Sequence, residues 1–296
     1  MYKTLYINTV IKKSTFQLLR FHFSFFLMPI YWFALSQIPA INWFDAIIVF
    51  VILHLLVYPS SNGYNSYMDR DETPIGGLEK PLQPTKQLFY ITVTMDTIAI
   101  IISFFISIYF ALAVLLYIFA SRAYSYRSIR LKKYPIIGYL TVIIFQGALA
   151  FAMIYHGCSQ NKTMEIPWQA TIAAALLIGG FYPLTQIYQH DADKKDGVTT
   201  ISYLLGYRGT FIFTAIIYAI AFSILAFWFI ATLQGTKFLM LQLFFIPVLI
   251  YFFIWAKKVW KDTGAANFKY TMQMNLLASV CTNFAFITIL ILRFFE

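Results

Sequence analysis

Nine long apolar runs leave this chain few folds to choose from; they are centred near Leu27, Val51, Ile100, Tyr117, Ile143, Ala174, Ala219, Ile246 and Ala285. Each is about 17–25 residues long, the length at which a helix crosses the hydrocarbon core of a bilayer. The runs are continuous rather than alternating, which excludes a transmembrane barrel. Backbone in lipid must satisfy its own hydrogen bonds, so such runs become helices. Composition agrees: 60% of the residues are hydrophobic and only 11% are charged, where a soluble domain carries about a quarter. The expected fold is all-α, a polytopic membrane protein built as a bundle of nine transmembrane helices. The longest loops, about 15–25 residues, are too short for a soluble domain, so residues 1–296 are read as one transmembrane domain.

The basic residues give this bundle a direction. Of the 22 Lys and Arg, 19 fall on one face: Lys3, Lys12, Lys13 and Arg20 before the first span, and the rest in alternate loops. The other face receives Lys162, Lys237 and Arg293. The positive-inside rule then predicts a cytoplasmic N-terminus and an external C-terminus. The expected location is the inner or cytoplasmic membrane. The net charge of +10 follows from this topology, and no nucleic-acid partner is expected. Arg20 and His22 interrupt the stretch where a signal peptide would have its apolar core, so no cleavable signal is expected. Snorkelling to the interface is the expected role of Arg20. Cys158 and Cys281 show no metal spacing and are not expected to pair.

The acids are distributed less evenly. Seven of the 12 Asp and Glu lie in or just after two cytoplasmic stretches, Asn65–Glu72 and Gln189–Gly197. Asn65 and Asp69 are four residues apart, as are Gln189 and Asp193, so each pair shares a helical face. Asp71 and Glu72 precede Thr73-Pro74, and a residue before proline is pushed out of the helical region, so the helix is expected to end there. Carboxylates at a helix C-terminus face the negative end of its dipole and need a cation. Mg²⁺ suits such sites, because it takes one or two carboxylates and completes its shell with phosphate oxygens and water. The candidate metal ligands are Asp69, Asp71, Glu72, Asp191 and Asp193. Asp196, beside Gly197, is expected in solvated loop. Asp96 lies inside the third span, where an acid is either functional or part of a local cluster with Thr92, Thr94 or Thr97.

These residues resemble a known family. Asn65-x-x-x-Asp69-Arg with Lys80-Pro81-Leu82 is similar to the first aspartate-rich motif of the UbiA superfamily of intramembrane prenyltransferases. Tyr124-Ser125, followed by Arg130-Leu-Lys132-Lys133, resembles the family's segment between the fourth and fifth spans. Gln189-x-x-x-Asp193, then Gly197-Val-Thr-Thr200, resembles its second motif. Thr73 and Gln189 stand where the family has aspartates, with Asp71, Glu72 and Asp191 nearby, and Lys80 replaces an arginine. The resemblance implies transfer of an isoprenyl group from a diphosphate to an aromatic or other lipophilic acceptor, assisted by Mg²⁺. It implies Asn65, Asp69 and Asp193 as catalytic residues, and Lys80, Arg130, Lys132, Tyr124 and Gln189 as substrate-binding ones. The expected partners are the isoprenyl diphosphate, the acceptor and membrane lipid. A cation-coupled secondary transporter is the rival from another class, and it requires acids deep in several helices. A catalytically silent, lipid-binding relative is the other rival, and Thr73 and Gln189 are its support.

Overall fold

The computed structural model describes residues 11–295, so Lys3 lies outside the described residues. Among these residues, eight helices are long and apolar enough to cross a membrane: Trp43–Asp69, Lys86–Ser103, Ile108–Ser125, Pro135–Cys158, Trp168–Lys195, Ile201–Ala231, Gly235–Lys261 and Phe268–Phe295. A pair bent by 40°, Lys13–Phe26 and Met28–Gln37, precedes them and makes a ninth span when counted as one. The spans are numbered one to nine on that basis. No strand occurs among the described residues beyond two isolated bridges.

Local chemistry shapes the spans that carry the site. In the first, Arg20 adopts the left-handed conformation at φ 48° and ends the turn Lys13–Leu19. A 3₁₀ turn, Phe21–Phe26, follows. The second span widens into a π-helix over Val51–Val57, directly before Tyr58-Pro59. Pro59 has no N–H to donate and its ring crowds the carbonyl one turn back, and a wider turn relieves both. The fifth span starts on Pro135, at a position where a missing N–H costs nothing. It carries a second π stretch, Ile143–Leu149. Gly147 in that stretch lies against the sixth span, where a Cβ would come within 2.5 Å of the Ala175 Cα. Close backbone approach here requires glycine.

The ninth span packs against the first. Phe33 and Phe286 stack with ring centroids 4.5 Å apart. Arg293 donates to the carbonyls of Leu35, Ser36 and Pro39 at 3.0–3.2 Å, groups a helix C-terminus leaves without partners. Phe33, Phe110, Phe151, Phe211, Phe229, Phe286 and Trp255 fill the interior. Phe105, Ile47 and Leu239 are among the many large apolar side chains on the outside, which is the surface a bilayer covers.

Two sequence expectations change. The second span ends at Asp69, not at Thr73-Pro74, because Arg70 turns left-handed at φ 55°. Arg127 stabilises that earlier end by donating to the carbonyls of Met68 at 2.8 Å and Asp69 at 3.1 Å. A cation at a helix C-terminus also meets the favourable end of its dipole. Asp96 does not cluster with threonines, since Thr92, Thr94 and Thr97 each bond a carbonyl of their own helix. It forms an ion pair with Arg122 and accepts from Ser60 Oγ at 2.6 Å. Arg122 in turn lies 3.9 Å from the centre of the Tyr64 ring.

Candidate active site

The two acid stretches meet at the mouth of a cavity of about 260 Å³. Asp69, at the end of the second span, Asp71, just beyond it, and Asp193, near the end of the sixth, all line it. So do Asn65, Tyr124, Lys132 and Gln189. The side chains of Asn65 and Gln189 also brace the mouth. Asn65 Nδ2 donates to Ser125 Oγ of the fourth span at 2.9 Å. Gln189 Nε2 donates to the Pro74 carbonyl at 3.2 Å, tying the sixth span to the segment after the second. Gln189 ends a 3₁₀ turn, Ile187–Gln189, that interrupts the helix ahead of Asp193.

Asp69 is buried and held by two cations. Lys132 forms an ion pair with Oδ2, and Arg130 approaches Oδ1 at 3.5 Å. Arg130 is buried but does not line the cavity, and it also pairs with Asp196. Its backbone is left-handed at φ 49°, which turns the guanidinium back between the ends of the second and sixth spans. Asp196 lies in an exposed turn, as expected, but it is also ion-paired: it accepts from Arg127 at 2.9 Å and from Arg130. Burial pushes its carboxyl pKa up, but the hydrogen bonds and charges of Arg130 and Arg127 outweigh this and hold it below the usual range. Asp71 is pushed the other way: burial, and then the nearby Asp69, raise its pKa.

Three candidates stand apart from the wall. Glu72, Lys80 and Asp191 are exposed and do not line the cavity. The early end of the second span turns Glu72 outward. Asp191 lies two residues before Asp193 on a short helix, nearly on its opposite side. Lys80 follows the loop through Gly76-Gly77, where Gly77 adopts φ 81° and a Cβ would meet His22 at 2.5 Å.

Arg20 is the residue sequence reasoning misplaced. It does not snorkel: it is 5% exposed, lines the cavity, and donates to the carbonyls of Gly76 at 3.2 Å and Asn62 at 3.1 Å. Among the described residues its Nε has no partner, nor do Asn62 Nδ2 and the Tyr188 hydroxyl on the same wall. Buried polar groups normally find partners, and these three are exceptions gathered on one wall. The interior of the cavity is different in kind. Phe23, Phe26, Leu27, Tyr117, Phe145, Ile178 and Phe181 line it. Tyr124 and Tyr182 share a hydrogen bond across it.

The donors fit Mg²⁺ chemically. They are oxygen ligands, from Asp69, Asp71 and Asp193, and the described residues of the wall include no thiol or imidazole. Among the described residues, no three His, Cys, Asp or Glu side chains gather closely enough to hold a metal alone. Such a site suits an ion that borrows the rest of its shell from substrate phosphates and water.

Acids at the ends of two spans thus line a cavity with aromatic walls inside a bundle of membrane helices. The chain belongs to the UbiA prenyltransferase family, whose sequence profile matches residues 26–277. No curated protein matches it significantly. Among solved structures, it is similar to a UbiA homologue from Archaeoglobus fulgidus bound to DMAPP and Mg²⁺. That match has a TM-score of 0.67 at 19% identity, covering 94% of this chain and 99% of the other. The apo UbiA homologue from Aeropyrum pernix K1 matches with a TM-score of 0.66 at 19% identity, over 90% and 97%. A structure of digeranylgeranylglyceryl phosphate synthase matches with a TM-score of 0.60 at 15% identity, over 94% and 97%. At these identities, what is shared is the fold.

Proposed function

We propose that this protein transfers a prenyl group from a prenyl diphosphate to a lipophilic acceptor, with Mg²⁺ as cofactor. One observation carries the reading: Asp69, Asp71 and Asp193 line the mouth of a cavity whose interior is aromatic and aliphatic. The diphosphate occupies the mouth, with Arg20, Asn62, Lys132 and Tyr188 as donors to its oxygens, and the prenyl tail runs inward. The Archaeoglobus fulgidus homologue, with structures bound to DMAPP and to GPP with Mg²⁺, supports a prenyl diphosphate with Mg²⁺ as the ligand.

In the reaction, the allylic C–O bond breaks and its electron pair leaves with the diphosphate. A carbon or oxygen of the acceptor supplies the pair that forms the new bond to the prenyl carbon, and the acceptor loses a proton. Bound Mg²⁺ supplies positive charge to the leaving diphosphate. Lys132 and Arg20 add fixed positive charge at the same place, and groups already positioned where charge develops lower the barrier most. The aromatic wall excludes water, so that the acceptor rather than solvent captures the allylic carbon. Arg130 orients Asp69 rather than touching substrate.

An orientation with the N-terminus in the cytoplasm places this mouth where soluble prenyl diphosphates arrive. The transporter reading loses its main support, because Asp96, the deep acid, is neutralised by Arg122. To test the proposal, purified protein in Mg²⁺ is given radiolabelled prenyl diphosphates of several lengths with aromatic, carotenoid and lipid acceptors. The expected result is a prenylated product from at least one pair. Absence of transfer and of diphosphate release across the whole panel argues for a silent relative instead.

A further inference from the structure

The helix that carries Asp193 is too short to hold its own place. It spans six residues, His190–Lys195, and the 3₁₀ turn Ile187–Gln189 separates it from the rest of the sixth span. An isolated helix needs about 12–15 residues to persist in water, so contacts outside this one must fix it. Gln189 and Asp193 line the cavity, whereas His190 does not. Of the six residues His190 is the buried one, at 5% exposure. Its partners belong to the seventh span. The imidazole stacks on the Tyr207 ring, with centroids 4.7 Å apart, and meets the Tyr203 ring edge-on at 5.5 Å.

The imidazole also starts a chain of hydrogen bonds whose direction is fixed. Thr210 Oγ1 lies 2.8 Å from the Gly206 carbonyl and 3.2 Å from the Ser202 carbonyl. A carbonyl only accepts, so the Thr210 hydrogen is committed there. Ser202 Oγ, 3.0 Å from Thr210 Oγ1, must then donate to it. That leaves Ser202 Oγ to accept from His190 Nε2–H, 2.8 Å away. Ser202 and Thr210 are fully buried. The chain crosses the point where the seventh span leaves helical geometry, Gly206 at φ 69° and ψ 174°. Carbonyls at an interrupted helix lack their usual donors, and Thr210 supplies one.

Between His190 and Ser202 the backbone reverses through Gly197, at φ 69°. Within that turn the Val198 N–H donates to the Asp193 carbonyl at 2.8 Å. The His190–Ser202 bond closes this loop, 12 residues from end to end, with Asp193 inside it. Asp193 shares the cavity with Asp69 and Asp71, and like charges there repel. We infer that His190 is a positioning residue: its Nε2–H, bonded to Ser202 Oγ, clasps the short helix to the seventh span and so presents Asp193 to the metal. This rests on the proposed Mg²⁺-assisted transfer and extends it to a residue outside the cavity.

Metal binding and local order test the clasp without turnover. Protein in nanodiscs with a non-hydrolysable prenyl thiolodiphosphate is titrated with Mn²⁺, followed by electron paramagnetic resonance. Hydrogen exchange over residues 190–198 is measured separately, without either ligand. Ser202→Ala deletes the hydrogen bond and keeps the ring packing, His190→Leu deletes both, and His190→Gln keeps an Nε2–H. Groups that orient a metal ligand are worth about 10–100-fold in affinity, so Ser202→Ala and His190→Leu should each weaken Mn²⁺ binding about tenfold or more. Both should speed exchange over 190–198 and leave it unchanged elsewhere, which also shows that they are folded. His190→Gln should stay within about threefold of wild type, the scale of one retained hydrogen bond. Wild-type Mn²⁺ affinity in Ser202→Ala overturns the inference, whether or not His190→Leu folds. So does faster exchange with Mn²⁺ binding intact, which is a structural role alone, and so does a His190→Gln variant that binds as weakly as Ser202→Ala. Failure of the wild type to bind Mn²⁺ with the thiolodiphosphate counts against the prenyl-transfer reading, and hydrogen exchange then judges the clasp by itself.

Discussion

Arg127 and Arg130 grip Asp196 from two sides, and through Arg130 the network reaches the buried carboxylate of Asp69. Asp196 thus acts on the site from outside the cavity. Its carboxyl is held below the usual range, so the pairing is present above the ordinary carboxyl value and lost only as pH falls through the lowered one. Asp196→Asn should therefore lower turnover by roughly two- to fivefold, the scale of a partly exposed ion pair. The pH–rate profile between about pH 6 and 8 should keep its shape, because the group stays ionised there. A shifted acid limb in that variant would mean that Asp196 itself titrates in the reaction. Arg20→Met should weaken prenyl diphosphate binding about tenfold or more, since charged hydrogen bonds are the strong ones. Unaltered KM for the diphosphate would remove Arg20 from the head-group site. Asp69, Asp193, Asn65 and Gln189 were legible in the sequence, because their four-residue spacing and the motifs around them are local. Arg20, Asn62 and Tyr188 belong to no local pattern, and only a left-handed break in the first span brings Arg20 inward.

Between elements, the Asp96–Arg122 pair joins the third span to the fourth, and Ser60 brings in the second. Removing one partner of a buried pair leaves the other charge uncompensated, at a cost of about 3–5 kcal/mol. Asp96→Leu and Arg122→Met should each lower the unfolding temperature in detergent, and the double variant should recover part of the loss. A double variant as unstable as the sum of the singles would mean that the pair is not coupled. Hydropathy could reveal that Asp96 was unusual, but Arg122 read as one more loop cation, so the partner was hidden. Helix count came readily from apolar run length. The end of the second span did not, because Arg127, 57 residues along the chain from Arg70, stabilises it. The two π stretches were likewise silent in hydropathy, which averages over the few residues that widen a turn.

For the whole molecule, distribution of basic residues over loops predicts the N-terminus inside and the C-terminus outside. Cysteines introduced near Asp71, Arg130 and Lys195, after replacement of Cys158 and Cys281, should be labelled only from the cytoplasm. Labelling of any one from outside would contradict that orientation. The central claim, that the paired acids at the mouth run a metal-assisted prenyl transfer, is tested most directly by initial rates on one prenyl diphosphate and one competent acceptor. These are measured for wild type in Mg²⁺ or excess EDTA, and for Asp69→Ala and Asp193→Ala in Mg²⁺, each variant first shown to be folded at the assay temperature. Loss of one group that stabilises charge in the transition state costs about 3–4 kcal/mol. Each variant should therefore be slower by about 10²–10³-fold, and EDTA should abolish turnover. Near-normal transfer by either folded variant, or undiminished turnover in EDTA, would contradict it.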